Sequence, residues 1–177
     1  MSKSKRTVKK LLSTGNLIPK HSLKERYILI CLPFDTIPFK IAQRVFFPLI
    51  DEHGIKVKAI IHQAFFPIIK NIDTNCFIPV LNSDIGRSLI PSENLAKEIF
   101  QYNYIAAADL NIDFNLTTAY CVHNSNAKLR IGFKSDYSDL CFNTQIDKKE
   151  NDSIESGYIQ IKSLITSLYR QTSENNT

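Results

Sequence analysis

The segment RYILICLPFDTIPFKIAQRVFFPLIDEHG, residues 26–54, decides the fold of this chain, because a buried strand in it leads directly into a helix. Residues 26–32 contain the unbroken apolar run that is typical of a parallel strand buried on both faces. Residues 38–54 follow as a helix, with Pro38 suited to its first turn and Gly54 to its C-terminal stop. The segment therefore predicts the first strand–helix unit of an α/β protein.

The alternation of strands and helices continues along the rest of the chain, without an internal repeat or a second domain. It predicts the fold class α/β, as a single three-layer domain with a mainly parallel sheet and helices on both faces. The later predicted elements are a strand at 56–62, a short helix or irregular turn at 64–72, an edge strand at 76–81, a helix at 92–102 capped by Ser92, a strand at 104–109, a helix at 114–124, strands at 129–133 and 140–146, and a helix at 154–171 whose buried face holds Ile161, Leu164, Ile165 and Leu168.

The length and composition are those of an ordinary globular domain. The chain has 177 residues, of which 44% are hydrophobic and 22% charged. No apolar run reaches the roughly 18–20 residues that cross a bilayer, so we do not expect an integral membrane protein. The N-terminus lacks the apolar core of a secretory signal, and we therefore expect a cytoplasmic location.

The positive charge is concentrated at the N-terminus. Residues 1–27 contain eight basic residues and one acid, so their net charge is +7. Because the whole chain has a net charge of +5, the remainder has a net charge of −2. We divide the chain into a basic arm at 1–25 with a short helix at 4–13, an α/β domain at 26–171 and a polar tail at 172–177. The arm suits an anionic partner, either RNA, a ribonucleoprotein or a membrane surface, although a merely solvated tail would look the same. The candidate contact residues are Lys3, Lys5, Arg6, Lys9 and Lys10.

The sequence indicates neither a cofactor nor a bound metal. It contains no G-x-G-x-x-G and no G-x-x-x-x-G-K-[ST], and none of its five glycines lies in the first strand–helix turn. The four cysteines are too widely spaced for a zinc site or a disulfide framework, and we expect buried, reduced thiols. They are Cys31, Cys76, Cys121 and Cys141.

Polar residues follow several of the predicted strands, at the sheet edge where α/β proteins bind their ligands. Asp35 is the candidate catalytic base, and the candidate ligand-binding residues are His62, Asp109, Asn111 and Asp113. Aspartate and asparagine are also common in loops because they bond to nearby backbone groups. Under that alternative, Asp35 orders its turn and Asp113 caps the helix at 114.

A longer stretch, YNYIAAADLNIDFNLTTAYCVHNSNAKLRIGFKS at residues 102–135, resembles part of a known enzyme family. It is similar to the end of the N-terminal domain of the heptosyltransferase-like glycosyltransferases, glycosyltransferase family 9, and AKLRIGF at 127–133 is the most specific part. The resemblance spans about residues 27–135 and implies a Rossmann-like domain, as in one half of a GT-B glycosyltransferase. In that family the N-terminal half faces the acceptor and a second half, which we expect to be missing here, binds the nucleotide sugar. The chain also resembles the short single-domain proteins of unknown function that some bacteria carry with this half-fold.

The first loop departs from the family pattern. The Gly-Asp pair that would supply the catalytic base falls on Ile37-Pro38, and Asp35 lies three residues before the position of the family aspartate. The resemblance therefore implies a lone acceptor-side domain that is not catalytic by itself. We expect an accessory or binding protein for a phosphorylated glycan or a protein partner. The alternatives are a scaffold or anchoring protein that uses the basic arm, and the acceptor half of a split glycosyltransferase completed by another chain or by dimerisation.

Overall fold

A twisted sheet of parallel strands occupies the middle of the computed structural model, which describes residues 4–14, 25–52, 54–69, 72–149 and 151–174. Within these residues the sheet has six strands, in the order β3-β2-β1-β4-β5-β6, and every neighbouring pair is parallel. The strands are β1 (Tyr27–Cys31), β2 (Val57–His62), β3 (Phe77–Val80), β4 (Tyr104–Asp109), β5 (Leu129–Phe133) and β6 (Thr144–Ile146).

Helices connect the strands and cover both faces of the sheet. They are α1 (Lys5–Leu12), α2 (Thr36–Ile50), α3 (Glu93–Phe100), α4 (Leu116–Asn124), α5 (Ser138–Cys141) and α6 (Ile154–Glu174), with short 3₁₀ turns at Gln63–Ile68, Thr74–Cys76 and Asn82–Asp84. Residues of α2 and α6 pack on one face, and residues of α1, α3, α4 and α5 pack on the other. The predicted Rossmann-like, three-layer α/β fold is confirmed.

Strand β1 is buried on both of its faces from Ile28 to Cys31. Its side chains alternate between the two cores: Ile28 and Ile30 pack on the α2–α6 side, and Leu29 and Cys31 pack on the other. A strand placed between two helical layers must be apolar on both faces, which explains its continuous run of hydrophobic residues. The same placement puts β1 beside β4, where the order of the strands reverses.

Helix α4 is surrounded on all sides. Its residues 116–122 are all buried, because α1 and α3 cover the surface that faces away from the sheet. Val8 and Leu12 of α1 are each 2% exposed, and the Asn124 side-chain amide donates to the Leu12 carbonyl oxygen at 3.3 Å. A helix that is buried all round needs cover on its outer side, so α1 contributes to the core.

Several boundaries differ from the sequence-based expectation. The predicted arm contains α1, which packs on the domain, while residues 1–3 and 15–24 lie outside the described residues. Strand β6 is shorter than 140–146 because residues 138–141 form α5. Helix α6 extends to Glu174, so the start of the predicted tail continues the helix; residues 175–177 lie outside the described residues.

Two details of the packing also bear on the predictions. Leu164 was expected on the buried face of α6 but is 38% exposed, and Tyr158 is fully buried there together with Ile161 and Ile165. Pro79 lies in β3 at the edge of the sheet, as predicted. Among the described residues, no helix is both long enough and apolar enough to cross a membrane.

Gly132, the glycine of the AKLRIGF segment, is required by packing. A Cβ atom at this position would overlap the ring of Phe142, a residue that is itself 7% exposed. The aromatic ring of the β5–β6 connection therefore lies directly on the β5 backbone, and only glycine allows that approach.

We predict that Gly132→Ala lowers the free energy of unfolding by about 1–3 kcal/mol, because the added methyl group overpacks the site. Urea denaturation of the variant and the parent measures the difference. Gly86→Ala is the matched control, since the atoms nearest to its added Cβ are 3.8 Å away. Combining Gly132→Ala with Phe142→Leu should recover part of the loss. Equal stability of Gly132→Ala and the parent would contradict this explanation.

Candidate functional site

The candidate site lies where the carboxyl ends of β1 and β4 meet. Cys31 and Asp109 are paired in the register of these strands, and the Leu110 amide donates to the Cys31 carbonyl oxygen at 3.0 Å. The loop that enters α2 and the loop that enters α4 therefore leave the sheet side by side. In open parallel sheets this reversal of strand order opens the crevice in which ligands bind.

A buried carboxylate at the end of β4 organises this junction. Asp109 is 3% exposed, and its Oδ1 accepts hydrogen bonds from the Asn111 backbone amide at 3.1 Å and from Asn111 Nδ2 at 2.8 Å. Its Oδ2 accepts from Thr118 Oγ1 at 2.8 Å. We call Asp109, Asn111 and Thr118 the switch-point network.

The network also holds the loop that follows β1. The Phe34 backbone amide donates to Asn111 Oδ1 at 3.0 Å, so one asparagine side chain bonds to both loops. Asn111 Nδ2 also contacts Thr118 Oγ1 at 3.1 Å, which closes the network on α4. Each polar group thus receives a partner inside the protein, as buried polar groups require.

Burial determines the acidity of Asp109. Removal from solvent raises the pKa of its carboxyl group to about 6, and the hydrogen bonds from Asn111 and Thr118 oppose part of that rise. A carboxyl group whose pKa lies near neutral pH is suited to general acid–base catalysis. However, both of its oxygens are engaged in the network and the residue is almost inaccessible, so the geometry favours a structural role.

Asp35, the candidate catalytic base, lies at the start of α2 in a different environment. Its side chain is exposed and makes no capping hydrogen bond, although its backbone carbonyl accepts from the Phe39 amide at 2.9 Å. The interpretation that its carboxylate orders the turn is therefore not supported by a side-chain bond. Asp35 and Asp109 share no hydrogen bond, so the structure does not join these two carboxylates into an acid–base pair.

His62 lies at the end of β2 and contacts the site through Phe34. Its ring centre is 5.1 Å from that of Phe34, its Nδ1 accepts from the Ala64 amide at 3.3 Å, and its Nε2 lies 3.3 Å from Asn82 Oδ1. This pattern fits the tautomer that carries its hydrogen on Nε2 and donates it to Asn82. The histidine is partly exposed, and its two ring nitrogens bond to two different segments, the turn after β2 and the turn after β3.

Asp113 was expected to cap a helix beginning at 114, and that alternative is wrong. Helix α4 begins at Leu116, and its cap is Asn115, whose Oδ1 accepts from the amides of Thr117 and Thr118 at 3.0 and 3.3 Å. The loop between β4 and α4 is two residues longer than expected because Asn111 turns back onto Asp109. Asp113 is left exposed on that loop.

Exposed aliphatic side chains lie along this same edge. Ile37 in the first turn of α2 is 71% exposed, Leu81 after β3 is 43% exposed and Leu89 before α3 is 48% exposed. Ile68, in the turn after β2, is also exposed. These four residues all follow carboxyl ends of strands, and we call them the apolar edge. Exposed apolar side chains that form one contiguous patch mark an interaction site, and these residues are the candidates for such a patch on this edge.

Leu89 has an unusual backbone conformation. This residue has φ of 65°, a left-handed conformation that is unfavourable for leucine. Its carbonyl oxygen accepts from Thr117 Oγ1 at 2.9 Å, so the loop is tied to the start of α4. A bridge between Ile85 and Pro91 closes the base of the same loop.

The candidate residues of the N-terminal arm occupy a different surface. Lys5 forms an ion pair with Asp139 at 3.2 Å, and Arg6, Lys9 and Lys10 lie exposed on α1. Lys3 lies outside the described residues. The structure therefore separates the predicted residues into a carboxyl-edge group and an α1 group.

The described residues contain no cluster of three or more histidine, cysteine or acidic side chains placed to hold a metal ion. The four cysteines are free; Cys76 is half-buried and the other three are buried.

No protein-family model, curated protein or solved structure matches this chain.

Sequence reasoning missed three residues that shape the site. Thr118 lies on an apolar helix nine residues after Asp109, and the Phe34 backbone amide and the Asn82 side chain come from loops without a motif. The one available signal was a pair of polar residues, Thr117 and Thr118, in the first turn of an otherwise apolar helix.

We predict that Asp109 makes stability depend on pH in a defined window. Because its pKa is raised from 3.8 to about 6 in the folded state, the contribution of Asp109 to the free energy of unfolding should be fully present below about pH 4 and should be lost as the pH rises to about 6. A shift of this size corresponds to roughly 3 kcal/mol, and Asp109 is too buried for strong solvent screening. Urea denaturation across about pH 4–7 should show this component in the parent and not in Asp109→Asn.

The matched control is Asp113→Asn, which removes an exposed acid from the same loop and leaves the switch-point network intact. Other groups titrate in this window in all three proteins, so the difference between the curves isolates Asp109. Parallel curves for the parent and Asp109→Asn would contradict the assignment.

Proposed function

We propose that this chain is an accessory protein, built on a glycosyltransferase-like domain, that binds a partner protein through the carboxyl edge of its sheet and does not transfer sugar by itself. The observation that carries the proposal is the apolar edge, where Ile37, Leu81 and Leu89 present aliphatic side chains to solvent. Exposed aliphatic residues at a loop-built edge suit contact with another protein better than recognition of a hydroxyl-rich sugar.

The arrangement of the candidate acid–base groups supports a binding role. Asp109 is enclosed in the switch-point network, His62 is bonded to Asn82 and Ala64, and Asp35 stands exposed. A general base acts best when a partner orients it and shifts its pKa. The acid with a pKa near 6 is the one without access, and the acid with access has no orienting bond.

The charges at this edge favour a basic partner surface. Asp35 and Asp113 are exposed and Asp84 is half-exposed on the three loops that follow β1, β4 and β3. Arg87 is the cation in the loop that carries Leu89. An apolar patch with acidic neighbours suits a protein whose apolar contact residues are flanked by lysine or arginine. A phosphorylated glycan, also expected from the sequence, would meet like charges here.

The sequence resemblance to the acceptor-side half of glycosyltransferase family 9 agrees with this location. In a two-half enzyme the carboxyl edge of this domain is the edge that faces the crevice. A chain that carries such a half without the Gly-Asp pair keeps the surface and changes the chemistry at residues 35–38. An accessory role follows from these features together.

We predict that the purified chain does not release nucleotide from nucleotide sugars. With UDP-, GDP- and ADP-linked sugars as donors, nucleotide release should equal that of a protein-free blank, and Asp35→Ala should behave in the same way. Release that depends on the parent chain and disappears in Asp35→Ala would contradict the non-catalytic proposal.

We predict that photo-crosslinkers placed at Ile37, Leu81 and Leu89 capture the same partner protein in living cells. A benzoylphenylalanine at each position should give an adduct of one common mass, identified by mass spectrometry. Ile159 and Leu164 are matched controls, because they are exposed aliphatic residues on α6, outside the loops that carry the three edge positions. They should not give that adduct.

Each outcome of the crosslinking experiment has a defined meaning. A common adduct at the three edge positions, with a partner that does not bind nucleotide sugars, supports the accessory role. A nucleotide-sugar-binding partner would replace it with a split enzyme. An adduct with a second copy of the chain, or equal labelling at Ile159 and Leu164, would overturn the proposed use of this edge.

A further inference from the structure

The helix α1 presents a basic surface that the proposed function does not use. The first 14 residues contain no acid, and Arg6, Lys9 and Lys10 are exposed on α1. Among the described residues, no carboxylate forms an ion pair with any of these three side chains. This leaves three free cations on a single helical surface.

The orientation of α1 is fixed by packing. Val8 and Leu12 lie one turn apart and are buried against α4, while Lys5 is anchored to Asp139 at 3.2 Å. Arg6 and Lys10 project from the side opposite Val8, and Lys9 lies beside them. A docked helix holds its cations in place before a partner arrives, which lowers the entropic cost of binding.

The packing of α1 also distinguishes between the two kinds of anionic partner considered for the arm. An amphipathic helix binds a membrane by burying its apolar face among lipid chains. Here Val8 and Leu12, which form that face, are already buried in the protein core at 2% exposure each. Only the charged face remains available, so the surface suits a polyanion that is bound by electrostatic contact alone.

We infer that Arg6, Lys9 and Lys10 of α1 form a binding surface for the phosphodiester backbone of a nucleic acid. Arg6 and Lys10 are about 6 Å apart along the helix axis, close to twice the roughly 3.4 Å axial spacing of phosphates on one strand of DNA. Contacts to phosphates position a protein on nucleic acid and do not select a sequence. The surface therefore predicts binding without sequence preference.

The end of α1 lies near another exposed cation. The Asn124 amide bonds to the Leu12 carbonyl oxygen, and the exposed Lys128 follows four residues later in the turn that leaves α4. A backbone that runs along α1 would approach this turn next. Lys128 is thus the first candidate for extending the surface beyond the helix.

The test is the salt dependence of binding by the full chain, measured by fluorescence anisotropy with a labelled single-stranded RNA and a labelled DNA duplex of mixed sequence. If three cations contact phosphates, affinity should fall roughly 20- to 40-fold between about 50 and 200 mM salt. The shallower end of this range is expected for the single strand and the steeper end for the duplex, so the two probes distinguish the form that is bound.

The triple variant Arg6→Ala, Lys9→Ala and Lys10→Ala should lose this salt dependence and most of the affinity. Alanine preserves helix propensity, and circular dichroism with thermal unfolding confirms that the variant is folded. The matched control removes three exposed cations elsewhere on the domain and gives the same net charge; its residues are Lys40, Arg87 and Lys149, each replaced by alanine. The control should retain the parent's affinity and salt slope.

Three results would overturn this inference. Equal weakening in the α1 variant and the control would show a general effect of net charge. Unchanged binding in the α1 variant would show that another surface is used. Association with vesicles of phosphatidylcholine and phosphatidylserine, without binding to either nucleic acid, would identify a membrane surface as the partner.

Discussion

The satisfied carboxylate of Asp109 is the constraint on which the centre of this fold depends. A carboxylate placed between β1 and α4 at 3% exposure is costly unless every oxygen receives a hydrogen bond. Asn111 and Thr118 supply those bonds, and Asn111 then uses its own oxygen to hold the Phe34 amide. The two loops at the reversal of strand order are thereby joined through the protein's own polar groups.

The second dependence runs through α4, the helix that supplies Thr118. Because α4 is apolar on its outer surface as well as its inner one, it needs cover from α1 and α3. The basic segment at the N-terminus therefore presents two different surfaces on opposite faces of one helix. Val8 and Leu12 complete the core, and the remaining surface of α1 is left almost purely cationic.

The candidate site could be predicted from the sequence only as a set of positions. The rule that α/β proteins bind ligands at the carboxyl ends of their parallel strands selected five residues. They lie at one edge of the sheet because parallel strands all end there, and they are Asp35, His62, Asp109, Asn111 and Asp113. The rule gave equal weight to residues with very different environments. Burial of Asp109, exposure of Asp35 and the bond from His62 to Asn82 depend on how β1, β2, β3 and β4 are ordered, and strand order has no local signature in the sequence.

The amino-acid sequence by itself determined the order of strands and helices along the chain. The continuous apolar run of β1, the small residues of β4, Ser92 as a helix cap and Pro79 as an edge marker act over a few neighbouring residues, so local physics was sufficient. The tertiary structure decided which elements became neighbours. It placed the Phe142 ring against position 132, where only glycine fits. It also placed Tyr158 instead of Leu164 in the core and packed α1 on α4. These outcomes rest on contacts between residues far apart in the chain, and only the assembled sheet brings those residues together.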